Sequence, residues 1–309
     1  MREAKEGLYS MDVLIIGGGQ ISLEYSKICL SLGHITTLVS RSVCKPAAYL
    51  DKKFSFINSD VFNLGQGVLD KATHIILAVQ PRFTFEIVKY LVDNSTAQLL
   101  VEKPVCMTSS ELCLIKREEF DKRIHVAFNR RYFESVEVAK NLINDKPILS
   151  VEICFTEMKD RMKGSDDEIR LWGMCNTIHL FDMAFYLAGI PDNVQTIRST
   201  IGDVDSYSVT GNLPNGLVSM NAHWGGPGNW GISIATPEEK LLFDPLEKLR
   251  VQKLGSFQKD EIRLDPAVNG GFKDGFLSQT IDFLDDSKCK FISYANYQRL
   301  ILVIEKIFN

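Results

Sequence analysis

Three consecutive glycines, residues 17–19, stand between a short apolar run and a longer amphipathic stretch. Residues 13–16 have the β-branched composition of a buried strand, and residues 20–32 have the apolar spacing that is typical of a helix. A strand that turns directly into a helix leaves the first backbone N–H groups of that helix without partners inside it. Glycines at the turn let an anionic ligand approach those groups, so the segment predicts a βα unit with a phosphate site.

The alternation of short apolar runs and longer amphipathic stretches continues well beyond the glycines. Further strand candidates are residues 35–39, 54–58, 74–79, 98–101 and 124–128. Helix candidates between them are residues 84–93 and 109–119. Strands that alternate with helices are typical of a parallel sheet covered on both faces. Residues 1–128 are therefore predicted to form an α/β domain of the Rossmann type, with a doubly wound parallel sheet.

The pattern changes after Asn129. A helix candidate at residues 135–144 and a strand candidate at 149–156 precede a charged segment and a further helix candidate at 177–188. Later strands are joined by polar turns such as residues 213–216, and helix candidates at 273–284 and 294–308 end the sequence. Short hairpin connections favour antiparallel pairing. Residues 129–309 are therefore predicted to form an α+β domain with a mainly antiparallel open sheet.

Composition excludes several classes of protein. The 309 residues are 45% hydrophobic and carry a net charge of −4, which gives no basic surface for nucleic acid or an anionic membrane. No apolar stretch approaches the roughly 20 residues of a membrane span. Seven scattered cysteines without a C-x-x-C pair argue against disulfides or a zinc cluster and favour a cytoplasmic protein. The histidines show no ligand spacing, so no metal is predicted.

The end of the second strand candidate bears on the choice between NAD and NADP. In dinucleotide-binding domains an acidic side chain about 20 residues after the glycines binds the ribose hydroxyls of NAD. Here the sequence reads Ser40-Arg41-Ser42, without an acid. A guanidinium group pairs well with a 2′-phosphate, so we expect NADP to be favoured over NAD. The alternative is an arginine in a solvated loop.

Several short segments add a second line of argument. An E-K-P segment at residues 102–104 follows the fifth strand candidate, and an H-L-F-D segment at residues 179–182 lies in a helix candidate. With residues 126–131, 186–189 and 271–272, they resemble, in order, the segments of the Gfo/Idh/MocA family of NAD(P)-dependent oxidoreductases. The resemblance covers essentially the whole chain from Asp12.

The resemblance implies a cofactor, a substrate class and an assembly. It implies hydride transfer between NAD(P) and a secondary alcohol or ketone of a sugar, sugar nucleotide or cyclitol. It also implies that the second domain binds the substrate and forms a homo-oligomer, a dimer or a tetramer. The residues expected to bind the cofactor are Gly17, Gly19, Gln20, Ile21, Ser40, Arg41, Gln80, Pro81 and Glu102.

Two residues match the catalytic pair that the resemblance implies. Oxidation of an alcohol needs a group that takes the hydroxyl proton and a positive charge that holds the oxygen. Lys103 suits the second role and His179 the first, because imidazole exchanges protons near neutral pH. The alternatives are a surface lysine and a histidine buried in the core. Asp182, one turn after His179, either orients the imidazole or has a structural role.

One position departs from the family pattern. Many members carry an aspartate four residues before the histidine, where this sequence has Cys175, and a thiol cannot replace a carboxylate as a permanent acceptor. Asn176 could instead bind a substrate hydroxyl or amide. The substitution leaves open an alternative function, a dinucleotide-binding regulatory or sensor protein without catalysis. The expected substrate-binding residues are Lys103, Arg130, Arg161, Cys175, Asn176 and His179.

Other candidates have two open interpretations. Arg130 and Arg131 either contact a substrate phosphate or form a charge pair at a strand end. Trp224 and Trp230 either stack on a sugar or pack in the core or at a subunit interface.

Overall fold

A computed structural model describes residues 10–41, 51–158, 171–285 and 290–308. Arg161, one of the predicted substrate-binding residues, lies outside the described residues. The chain divides into two compact units, which are described separately. The first unit comprises Met1–Cys106, Glu111–Ala127 and Phe276–Ile292. The second comprises Met107–Ser110, Phe128–Gly275 and Ser293–Asn309.

The first unit contains a parallel six-stranded sheet in the order β3-β2-β1-β4-β5-β6. The apolar runs of β1, β4 and β5 are buried, as expected for strands covered on both faces. The prediction of a doubly wound sheet is therefore confirmed. The strands are β1 (Asp12–Ile16), β2 (Ile35–Ser40), β3 (Phe54–Asn58), β4 (His74–Leu77), β5 (Gln98–Glu102) and β6 (Ile124–Ala127).

Helices connect these strands. The single helix predicted at residues 109–119 is wrong, because the chain turns at Leu114 and Ile115 and Lys116 is extended, so that a second helix begins after it. Ile115 is buried at this turn, so packing overrides local helix propensity. The helices are α1 (Gln20–Ser31), α2 (Gln66–Lys71), α3 (Pro81–Asn94), α4 (Ser109–Leu112) and α5 (Arg117–Arg123).

The second unit contains an eight-stranded sheet in the order β14-β13-β12-β11-β7-β10-β9-β8. Only β7 and β10 pair in parallel, so the predicted mainly antiparallel sheet is confirmed, as is the hairpin at residues 213–216. The strands are β7 (Ser150–Glu157), β8 (Asp192–Ile201), β9 (Val204–Leu213), β10 (Gly216–Trp224), β11 (Gly231–Ala235), β12 (Glu239–Phe243), β13 (Arg250–Lys253) and β14 (Asp260–Glu261).

The helices of the second unit are α6 (Glu134–Ile143), α7 (Ile178–Ala188) and α9 (Tyr294–Phe308), and a π-helical turn, Gly173–Thr177, leads directly into α7. The ring of Phe308 lies 4.6 Å from that of Trp224, between centroids, and 6.1 Å from that of Phe181. Trp224 therefore packs in the core. No helix in the described part of the chain is long and apolar enough to cross a membrane.

The remaining helix, α8 (Phe276–Leu284), belongs to the first unit although it follows the second sheet in sequence. The Tyr25 ring of α1 lies 5.1 Å from that of Phe276, and the His74 ring lies 5.0 Å from that of Phe283. A division of the chain at residue 129 does not include this return. Its apolar face indicates that α8 is buried on one side, but it does not indicate against which sheet.

Candidate functional site

The glycine turn after β1 has a backbone that only glycine tolerates at its first position. Gly17 has φ of +137°, and a Cβ atom there would overlap the carbonyl oxygen of Ala78. The hydroxyl of Ser22 donates to the same oxygen at 3.1 Å. The start of α1 is therefore held against the residue that follows β4. A small residue at position 22 is what this close approach requires.

The N-terminus of α1 faces open space. Gly19 is extended and precedes the first helical residues, Gln20 and Ile21, and no side chain caps the helix. A Cβ atom at Gly19 would meet nothing within 4 Å. The first turn carries no acidic side chain, so the partial positive charge of the helix end is not neutralised. The residues present fit a phosphate group approaching the backbone.

Most of the other predicted cofactor residues follow the same edge of the sheet. β1 lies between β2 and β4, which is where the strand order reverses, and ligands bind doubly wound sheets at the carboxyl ends of the strands beside such a point. Ser40 ends β2 and Glu102 ends β5. Gln80 precedes α3, whose first residue is Pro81. The sheet thus brings these side chains to the edge that carries the glycine turn.

Arg41, directly after β2, has a second arginine near it. Its side chain is 64% exposed and lies 3.7 Å from Asp60. Its guanidinium carbon lies 5.1 Å from the ring centroid of Phe83, and that of Arg82 lies 4.8 Å from the same ring. Arg82 also donates to the side chain of Gln80 at 2.7 Å. Sequence reasoning missed Arg82 and Phe83, which become visible only when α3 is known to begin at Pro81.

Glu102 is tied to two helices of the first unit. The Tyr25 hydroxyl lies 2.8 Å from Oε1 of Glu102 and 3.0 Å from Oε1 of Gln279. Tyr25 and Gln279 are completely buried. The chain segment that carries Lys103 is therefore anchored immediately before the lysine. Neither Tyr25 nor Gln279 gives a local sequence signal, since they stand 77 and 177 residues from Glu102.

In the second unit the predicted residues lie in and just after the π-helical turn. Cys175 and Asn176 belong to the turn itself, and His179 is in the first turn of α7. The Cys175 side chain lies 3.9 Å from the sulfur of Met107, and the His179 ring lies 6.2 Å from that of Phe128. Single π-helical turns are rare and often occur at functional sites.

A buried carboxylate that the sequence did not indicate holds this turn. Glu157, the last residue of β7, is 6% exposed. It accepts hydrogen bonds from Trp172 Nε1 at 2.9 Å and Thr177 Oγ1 at 2.7 Å. The Nδ2 atom of Asn176 lies 3.0 and 3.1 Å from its two oxygens. The donors precede, belong to and end the turn.

Arg130 lies near the same carboxylate. Its guanidinium carbon is 4.9 Å from the ring centroid of Trp230, whose Nε1 donates to the Thr156 carbonyl at 3.1 Å. Burial lowers the pKa of the Arg130 guanidinium, and the negative charges of Glu247 and Glu157 oppose that shift. Arg130 and Trp230 therefore pack on each other.

Arg131 and Asp182 form a buried ion pair. Two nitrogens of Arg131 donate to the two oxygens of Asp182 at 2.9 and 2.6 Å. Burial raises the pKa of the Asp182 carboxyl, and the charge of Arg131 opposes it. The interpretation that Asp182 orients His179 is wrong, because both of its oxygens serve Arg131. Among the described residues, no group of three or more His, Cys, Asp or Glu side chains is arranged to hold a metal.

Comparisons with known proteins give a fold and no family by sequence. No protein-family model matches the chain, and the curated proteins include no sequence match. A dehydrogenase from Chromobacterium violaceum matches in structure with a TM-score of 0.79 at 15% identity, over 97% of this chain and 94% of the other.

Two further solved structures match over the same share of the chain. A levoglucosan dehydrogenase in complex with NADH and levoglucosan has a TM-score of 0.73 at 17% identity, over 97% of this chain and 96% of that one. A UDP-N-acetylglucosamine 3-dehydrogenase from Acidithiobacillus ferrooxidans has a TM-score of 0.72 at 13% identity, over 97% of each chain. At these identities the likeness shows the fold and confirms the predicted fold class.

Proposed function

We propose that this protein is an NAD(P)-dependent oxidoreductase of the Gfo/Idh/MocA family. Its reaction is hydride transfer between the cofactor and a secondary alcohol or ketone of a sugar, sugar nucleotide or cyclitol. The observation that carries the proposal is the glycine turn between β1 and α1, where Gly17 cannot bear a side chain and Gly19 opens onto free space. Support comes from the fold likeness to a dehydrogenase solved with NADH and a sugar derivative.

The cofactor-binding residues divide by the group they hold. The backbone at Gly17, Gly19, Gln20 and Ile21 binds the pyrophosphate, because its N–H groups and the helix dipole favour an anion. When bound, the nicotinamide ring supplies the hydride acceptor or donor. The other residues that contact the dinucleotide in this proposal are Ser40, Arg41, Gln80, Pro81 and Glu102.

Lys103 and His179 carry the chemistry of the substrate in this proposal. The ammonium of Lys103 donates to the reacting oxygen and stabilises the negative charge that develops on it. His179 takes the hydroxyl proton during oxidation and returns it during reduction. The remaining residues proposed to contact the substrate are Arg130, Arg161, Cys175 and Asn176.

The test is turnover across a panel of sugars, sugar nucleotides and cyclitols, followed by cofactor absorbance. On a substrate that reacts, Lys103→Met is expected to lower kcat by at least about 100-fold, because the charge that stabilises the transition state is lost. The control is Lys71→Met, at an exposed position at the end of α2, which should leave kcat unchanged. A Lys103→Met variant within about threefold of the wild type contradicts the assignment.

We further propose that NADP is favoured over NAD. Arg41 and Arg82 share the Phe83 ring, so two guanidinium groups are available for a 2′-phosphate. Arg41→Ala and Arg82→Ala should each weaken NADPH binding by about tenfold and leave NADH binding unchanged, since a charge-assisted hydrogen bond is lost. Fluorescence titration measures both affinities. Arg117→Ala is the exposed control, and an equal loss for both cofactors contradicts the proposal.

A dinucleotide-binding regulatory or sensor protein is the second candidate. Cys175 favours it, because it stands where the resembling family usually has an aspartate. The substrate panel separates the candidates: a sensor binds NAD(P)H with micromolar affinity and turns over no substrate, whereas an oxidoreductase does both.

We also propose that the protein forms a homo-oligomer in the cytoplasm. The second sheet supports the first part, since β9 and β10 alternate buried and exposed positions and leave Ser208, Thr210 and Asn221 exposed on a single chain. Light scattering after gel filtration should give the mass of a dimer or tetramer, and Thr210→Arg should lower it. A monomeric mass for the wild type contradicts this part.

A further inference from the structure

Glu157 has a hydrogen-bonding demand that an amide could not meet. The carboxylate sits at the end of β7 with 6% exposure and is approached by three neutral donors, from Trp172, Asn176 and Thr177. An ionised carboxylate only accepts hydrogen bonds and offers about four lone-pair positions. The three donors therefore suit a carboxylate.

The contact with Glu157 determines which way the Asn176 amide faces. The amide has a donating nitrogen at one end and an accepting oxygen at the other, and the hydrogen-bond network decides between the two orientations. Glu157 accepts only, and Nδ2 lies 3.0 and 3.1 Å from its two oxygens. The donor end therefore points at Glu157, and Oδ1 is directed away from the carboxylate as an acceptor.

This acceptor stands beside the position that lacks an acid. Asn176 follows Cys175 directly and precedes His179 by three residues, which is about one helical turn. A carboxylate at position 175 would accept a hydrogen bond from a substrate hydroxyl, whereas the thiol of Cys175 accepts only weakly. The Asn176 oxygen has the missing property and comes from the adjacent residue.

We propose that Glu157 is a positioning residue that makes Asn176 a hydrogen-bond acceptor for a substrate hydroxyl. The inference rests on the proposed oxidoreductase function and narrows its substrate class. The substrate carries, besides the reacting centre, a hydroxyl that donates to Asn176. Analogues in which that hydroxyl is replaced by hydrogen or by a methoxy group bind less well.

The sharpest test exchanges the donor and the acceptor between the two residues. In Glu157→Gln the new amide faces the Asn176 amide, so Asn176 turns its oxygen inward and presents a donor outward. In the double variant Glu157→Gln with Asn176→Asp, the glutamine nitrogen donates to the aspartate, whose second oxygen again faces outward as an acceptor. A Glu157 that only stabilises the fold predicts the opposite, because the second substitution adds damage to the first.

On a substrate that reacts, Glu157→Gln should raise KM by about tenfold with a smaller effect on kcat, since a hydrogen bond to the substrate is lost. The double variant should return KM to within about threefold of the wild type. The matched control is Glu239→Gln, a buried carboxylate of β12 that pairs with Lys146 at 2.9 Å, and it should leave KM unchanged. A double variant no better than Glu157→Gln overturns the proposal.

A second readout does not depend on turnover. Alkylation of Cys175, quantified for each cysteine by peptide mass spectrometry, reports how firmly the π-helical turn is held. Labelling should accelerate by about tenfold in Glu157→Gln and return towards the wild-type rate in the double variant, with no change in Glu239→Gln. Equal Cys175 labelling in the wild type and both variants overturns the role of Glu157. If no substrate reacts, the proposed function fails, and this measurement still decides the pairing.

Discussion

The glycine turn of the first unit and the π-helical turn of the second are built in opposite ways. The glycine turn depends on missing atoms, because Gly17 leaves room for the Ala78 carbonyl and Gly19 leaves the helix end open. The π-helical turn depends on side chains that meet, since donors from Trp172, Asn176 and Thr177 reach one carboxylate. One turn is a backbone device and the other a side-chain device.

The difference predicts how each turn fails. A backbone device fails when an atom is added, because the surrounding carbonyl groups cannot move far. A side-chain device fails when an atom is removed, because a buried donor or charge then loses its partner. Substitutions of matched kind in the two units therefore test the contrast, and they are ordered here by the expected loss of unfolding free energy.

The largest loss is expected for Gly17→Ala. The added methyl overlaps the Ala78 oxygen, and φ of +137° is unfavourable for alanine. The unfolding free energy should fall by at least about 4 kcal/mol, which urea denaturation followed by circular dichroism measures. Gly67→Ala in α2 is the control, since nothing lies within 4 Å of its Cβ position and stability should not fall. A Gly17→Ala variant as stable as the wild type contradicts the backbone interpretation.

Removal of a side chain should be the next most costly change. Asp182→Ala leaves the buried Arg131 guanidinium without its carboxylate, at an expected cost of about 3 kcal/mol. The double variant Arg131→Met with Asp182→Leu should lose less, because no uncompensated charge remains. Glu261→Ala, which breaks an exposed pair with Lys248, should change stability by less than about 0.5 kcal/mol. Equal losses for the single and the double variant contradict this account.

Gly173→Ala tests whether a glycine in the second unit behaves like Gly17. The methyl would lie 2.6 Å from Cδ2 of Phe308, which belongs to a side chain that can shift rather than to the backbone. The expected loss in urea denaturation is about 1 kcal/mol, because overpacking is partly offset by the higher helix propensity of alanine. Gly173→Ala with Phe308→Leu should be less affected by the added methyl than Gly173→Ala alone. A loss as large as that of Gly17→Ala contradicts the distinction.

The contrast also explains which features could be predicted from the sequence. The strands of the first sheet and the glycine turn depend on composition and spacing within about 20 residues, so they were predicted with small errors at their ends. The antiparallel sheet was predicted from turn residues such as those at 213–216. These features are local, and local patterns indicate them directly.

Features that depend on distant side chains were not predicted. Glu157 acts on residues 15 to 20 positions later, and Arg131 pairs with an aspartate 51 positions later. The return of α8 to the first unit depends on contacts such as that between Tyr25 and Gln279, 254 positions apart. No periodicity or short motif relates such positions, because the three-dimensional fold alone brings them together.

The smallest effect on stability is expected for Gly19→Ala, which separates the fold of the glycine turn from its ligand. Gly19 has φ of −88°, which alanine adopts readily, and its Cβ position is open, so the unfolding free energy should change by less than about 0.5 kcal/mol. The methyl nevertheless occupies the space through which a pyrophosphate reaches the helix N–H groups. NADPH binding, measured by fluorescence titration, should weaken by about tenfold, whereas Gly67→Ala should leave it unchanged. If Gly19→Ala binds NADPH as tightly as the wild type, the open helix end is not the phosphate site.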